Sequence, residues 1–153
     1  MRFGVRKRDP LKMKIPPGVR NEALWRKHCR KIRARALDLL EGRLGVIETA
    51  RVMLLLAYWT KVQNEPEFLL FRAIASETDD LPVGNVRAYW AADALEREDV
   101  RIEAAENLWR DQALSAAEKL IERYQWAARQ KHGSNGADPS SAGHDCEQSK
   151  IAK

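Results

Sequence analysis

Cysteine is nearly absent from this chain. Cys29 and Cys146 are the whole supply, one on a predicted helix and one in a polar tail, so a disulfide framework and a cysteine metal cluster are both excluded. Histidine is as scarce, with His28, His132 and His144 only. No Glu-x-x-His occurs anywhere, which removes the di-iron pattern of helical bundles. His144-Asp145-Cys146 lies in the tail, where a captured metal would be adventitious. Long apolar runs are missing too. The longest, Val52 to Trp59, is eight residues between Arg51 and Lys61, against about 20 for a spanning helix. The N-terminus has charge but no apolar signal-peptide core, and cytoplasmic residence is expected by elimination. There is no Gly-x-Ser-x-Gly elbow and no phosphate-cradling Gly-rich loop followed by Lys and Ser/Thr. Nothing alternates at period two for long enough to make a sheet.

What is present is charge, unevenly spread. The first 35 residues carry 13 Lys/Arg against 2 Asp/Glu, a net of +11. The remaining 118 carry 14 Lys/Arg against 20 Asp/Glu, a net of −6. The overall value of +5 hides these two regimes. Such asymmetry points to a polyanionic partner or to a basic arm folded onto an acidic body. At 153 residues the chain is long enough for one domain with a real core. Trp25, Trp59, Trp90, Trp109 and Trp126 are spread over four predicted helical segments and are expected as core anchors.

The pattern divides the chain into three regions: a basic arm over 1–19, a helical domain over 20–132 and a disordered tail over 133–153. In the arm, Pro10, Pro16, Pro17 and Gly18 break any helix. Asn21 is a suitable N-cap and Gly42 a stop for a first helix at about 21–41, with Trp25, Cys29, Ile32, Ala36 and Leu39 on one face. A second helix at about 44–63 is apolar on most sides, which places it in the middle of the bundle. Pro66 opens a third at about 66–77. Pro82 and Gly84 then interrupt the pattern before a fourth at about 85–97. From Asp99 to about Lys131 runs a long regular helix, capped by Asp99 or continuous with the fourth through a bend. Its outer side offers ion-pair candidates such as Glu106–Arg110. The predicted fold class is all-α, a compact bundle of four to five helices with an extended basic N-terminal arm and a disordered C-terminal tail.

The residues expected to meet an anionic partner are Arg6, Lys7 and Arg8 of the arm and Arg26, Lys27, Arg30, Lys31, Arg33 and Arg35 of the first helix. Lys and Arg that neutralise phosphates release counterions, and the Arg fork matches phosphate geometry. The second helix is too apolar to lie in a groove, which argues against a helix-turn-helix. The second candidate site is the loop 76–85, where Glu77, Asp79 and Asp80 gather three carboxylates. It offers oxygen ligands for a hard cation without the spacing of an EF-hand. The alternatives are capping by Thr78 or Asp80 and docking of the basic arm on these acids. Cys29 has basic neighbours that activate a thiol, but it belongs to the apolar stripe and reads as a small hydrophobe.

The expectation is a small non-enzymatic interaction domain whose basic arm and first helix engage an anionic macromolecule. Nucleic acid is favoured over an acidic protein. No cofactor and no metal are expected. The alternative class is an assembly module that forms a homo-oligomer through its apolar helices. A third is an enzyme or metal site at the loop 76–85 with Arg87, lacking any accompanying base or nucleophile.

Overall fold

A computed structural model of the chain describes residues 15–128. Among these residues the fold is all-helical, with four α-helices, two short 3₁₀ turns and no strand. Residues 1–14 and 129–153 lie outside the described residues. With them go most of the expected arm, the expected tail, Arg6, Lys7, Arg8, His132, His144 and Cys146.

Helix α1 spans Glu22–Leu40. Asn21 is extended and its side-chain carbonyl accepts from the Leu24 amide at 3.0 Å, so one orphan donor of the first turn is satisfied. The helix buries Trp25, Cys29, Ile32, Ala36 and Leu39, the stripe its spacing announces. Ile15 and Val19, at the end of the arm, pack against this core.

Helix α2 spans Val46–Thr60 and has no capping side chain of its own; its N-cap is Gly45. The cap comes from α4 instead. The Glu106 carboxylate accepts from the Val46 amide at 2.7 Å and from the Ile47 amide at 3.0 Å. A negative group at a helix N-terminus is doubly favoured, by the unpaired amides and by the dipole. Gly45 permits the approach, since a Cβ there would lie 2.9 Å from Glu106 Oε1. Glu106 therefore faces the bundle, and the outer-side pair with Arg110 does not form. Replacing Glu106 with Ala is expected to cost about 2 kcal/mol, because two charge-assisted bonds to amides are lost together. Urea denaturation of Glu106→Ala checks this, and a loss near zero would remove the tertiary cap as a stabilising element.

Helix α3 spans Pro66–Glu77, with Pro66 in the first turn where its missing N–H costs nothing. Thr78 Oγ1 donates to the Ile74 carbonyl at 2.7 Å, closing α3 rather than capping the next turn. Arg51 of α2 ties down this exit, its Nη2 donating to the carbonyls of Thr78 at 2.5 Å and Leu81 at 2.9 Å. Gly84 takes φ +70°, a left-handed angle that glycine adopts without cost.

The expected fourth helix over 85–97 is not there. Gly84–Tyr89 is a 3₁₀ turn, Trp90 and Ala91 are extended, and α4 runs unbroken over Ala92–Arg123. The break thus precedes residue 92, and Asp99 caps nothing. Its carboxylate takes the fork of Arg87, with contacts of 2.6 and 3.1 Å. At the other end α4 stops at Arg123, short of Lys131, because the 3₁₀ turn Gln125–Ala127 folds Trp126 back against α1. At 32 residues α4 is about 48 Å long. Only Ala113, Ala116, Ala117 and Leu120 along it are buried, so its N-terminal half lies on the edge of the bundle.

Two further expectations are corrected. Helix α2 touches α1, α3 and α4, yet it is not enclosed. Val46, Ala50, Met53, Leu56, Ala57 and Thr60 face the core, while Leu54, Leu55, Tyr58 and Trp59 lie in solvent. Of the five tryptophans only Trp25 is fully buried; its Nε1 donates to the Thr60 carbonyl at 3.3 Å and its ring stacks on Trp126. Trp109 and Trp126 are half-buried, and Trp59 and Trp90 are exposed.

Candidate anion-binding face

Helix α1 turns its apolar stripe inward, so its cations divide by angle around the axis. Lys27, Arg30 and Lys31 lie opposite the stripe and are exposed. Among the described residues none of the three is paired with a carboxylate. They span about 6 Å of helix axis, a length of duplex nucleic acid that carries about three to four charges.

The other expected cations of α1 are differently employed. Arg26 is held by Glu22 at 2.8 Å and its guanidinium lies 5.5 Å from the Trp126 ring centroid. Arg35 pairs with Asp38 at 2.9 Å. Asp38 also takes Arg43 at 3.0 Å, and Arg43 reaches Glu41 as well. Arg33 is half-buried with its Nε shielded from solvent and without a partner among the described residues. The structure thus brings three of the six helical cations to one free outer face and commits the others to the fold. Sequence inspection missed this division, although Glu22–Arg26 and Arg35–Asp38 sit at the i,i+4 and i,i+3 spacings that pair on a helix.

Beside these cations lies a surface that is neither basic nor polar. The His28 ring packs on Trp59 with centroids 4.8 Å apart, and its Nδ1 is shielded without a partner among the described residues. Burial pushes the His28 pKa down, and Lys31 and Lys27 push it further. At neutral pH the ring is uncharged, so it adds aromatic surface rather than a cation. Lys61 places its Nζ 5.2 Å from the Tyr58 ring centroid.

The acidic loop is drawn into the fold rather than opened to a ligand. Glu77 accepts from the Trp109 indole at 3.1 Å. Asp80 pairs with Arg101 at 2.8 Å, and that hydrogen bond holds its carboxyl below the usual range. Asp79 is exposed. Arg87, linked to this loop by the Pro82 carbonyl, is engaged by Asp99. No group of three or more His, Cys, Asp or Glu that could hold a metal occurs among the described residues. An open groove of about 410 Å³ between α3 and α4 is lined by Leu70, Asp111, Ser115 and Lys119, among others.

Cys29 is fully buried, and burial pushes its thiol up to about 12 against the pull of Arg26 and Arg30. It packs as a small hydrophobe, and a thiol so far from ionisation is a poor nucleophile. No helix among the described residues is long and apolar enough to cross a membrane. No family model, curated protein or solved structure matches this chain.

Proposed function

We propose that the protein is a non-enzymatic interaction domain that binds a nucleic acid through the phosphates, using the outer face of α1 together with the basic arm. The observation that carries this reading is the set Lys27, Arg30 and Lys31, exposed and without carboxylate partners among the described residues. Six further cations, Arg2, Arg6, Lys7, Arg8, Lys12 and Lys14, precede it in the same chain. A free cation on a surface where Arg26, Arg35 and Arg43 all have acids is available for an external anion. Phosphate is the anion whose density matches the spacing.

The test is fluorescence anisotropy with labelled single- and double-stranded DNA and RNA over a salt series. Affinity is expected to fall steeply with salt, and Arg30→Ala is expected to lower the log–log slope by about one. Deleting residues 1–14 should lower it further. Binding that is absent at low salt rejects nucleic acid as the partner. An acidic protein then becomes the anion to seek, since the same cations would serve it with a weaker salt dependence.

A further inference from the structure

Among the described residues, two exposed apolar surfaces have charges of opposite sign on their borders. The first is the outward face shared by α1 and α2, where Leu24, Leu55 and Trp59 are 47%, 57% and 47% exposed and His28 packs on Trp59. Lys27 and Lys31 stand three and seven residues beyond Leu24 along α1 and border it with ammonium groups. The second is the outer side of α4's N-terminal half. Val100 and Leu108 are each 70% exposed, and Ala104 between them is exposed too. Their four-residue spacing sets them in one row up the helix. Glu96, Glu103 and Asp111 border that row, exposed and without a cation partner among the described residues. On its other border Arg97 pairs with Asp93, and Arg101 with Asp80 and Glu98.

An exposed apolar row with carboxylates along one border is the complement of an exposed apolar face bordered by ammonium groups. A helix that lays such a row against a complementary apolar surface is a recurrent mode of recognition. We infer that the partner of this α1/α2 face is a second copy of this chain, which lays the Val100–Leu108 row of its α4 against it. Helix α4 is built for that reach, because its N-terminal half projects along the edge of the bundle with no buried residue before Ala113. The contact joins two different surfaces, so it is head-to-tail, and such contacts close into a ring or continue as a chain. Lys27 and Lys31 serve both this contact and the anion-binding face, so a bound nucleic acid and a second copy compete for them.

The test is sedimentation velocity of the full chain, free of nucleic acid, over a concentration series at low salt. The wild-type mass is expected to rise above the 17.5 kDa monomer as concentration increases. Leu55→Glu sets a carboxylate against the acidic border, and Leu108→Lys sets an ammonium against the basic one. Each variant alone is expected to stay monomeric. Mixed in equal amounts they are expected to associate, because the Leu108→Lys chain supplies an intact α1/α2 face and the Leu55→Glu chain an intact row. Leu24→Glu and Val100→Lys repeat the design at second positions, and circular dichroism confirms that all four fold. A wild type that stays monomeric throughout overturns the inference. So do variants that still associate alone, or a mixture that does not associate. None of these outcomes bears on nucleic-acid binding, which is measured separately.

Discussion

Alanine at Lys27, Arg30 and Lys31 together is expected to lower affinity for duplex nucleic acid by about 10² to 10³ at 0.1 M salt. The estimate rests on counterion release. Each phosphate neutralised contributes about 0.9 to the slope of log affinity against log salt, so three contacts contribute about 2.7. The loss should shrink as salt rises, and wild type and variant should converge toward 1 M. All three side chains are exposed and have no carboxylate partner among the described residues, so their removal should leave the melting temperature nearly unchanged. Arg35→Ala is the internal control. Its guanidinium is held by Asp38 at 2.9 Å, and an arginine already neutralised releases fewer counterions. Its effect on the slope should be well below that of Arg30→Ala. Equal effects at Arg30 and Arg35 would show that general charge, rather than the outer face of α1, drives binding. An unchanged slope in the triple variant would place the contacts elsewhere.

Features set by neighbours in the chain were legible in the sequence, and features set by distant partners were not. The α1 stripe needed only a helical period, and all five of its residues are buried. Asn21 and Pro66 act within one turn of themselves, and both do what their chemistry suggests. Glu106 was illegible because its partners, the amides of Val46 and Ile47, lie 60 and 59 residues away. Asp99 resembled a cap because a carboxylate before an apolar pattern usually is one. Arg87, reached across the Trp90–Ala91 break, takes that carboxylate instead. The α2 error has a different origin. Periodicity measures how much of a helix is apolar, not how much of it other helices cover. Leu54 with Tyr58 and Leu55 with Trp59 form i,i+4 pairs on the side away from Met53. An enclosed helix and one with a docking face share that pattern. For the candidate site, the excess of cations was plain from the sequence. Which cations the fold consumes depended on Glu22, Asp38 and Trp126 reaching them.

Removing the Arg123 guanidinium is expected to destabilise the fold by about 3 kcal/mol at pH 7. Arg123 ends α4, and its fork closes on the start of α3. Nη1 donates to Glu65 Oε2 at 2.5 Å and Nη2 to Glu67 Oε1 at 2.7 Å. Glu67 is buried, and its Oε2 has no partner among the described residues. Burial pushes the Glu67 carboxyl up, but the Arg123 hydrogen bond, a backbone amide and the Arg123 charge outweigh it and hold the group below its ordinary value. A carboxyl depressed in the folded state stabilises fully above its unfolded value of about 4.5, and that contribution is lost as pH falls through the folded value. In Arg123→Ala the balance reverses, because burial remains and the guanidinium is gone. The folded carboxyl then lies above its unfolded value, and its penalty at neutral pH is relieved as pH falls toward 4.5. The stability gap between wild type and Arg123→Ala should therefore narrow between pH 7 and pH 5. Arg123 is itself 27% exposed, which sets the cost at the lower end of the range for broken buried pairs. Adding Glu67→Gln to Arg123→Ala should recover a large part of the loss, since an amide carries no charge to strand. Urea denaturation at both pH values decides the matter. A gap that does not change with pH, or no recovery in the double variant, would mean that Arg123 acts through packing of its stem rather than by neutralising Glu67.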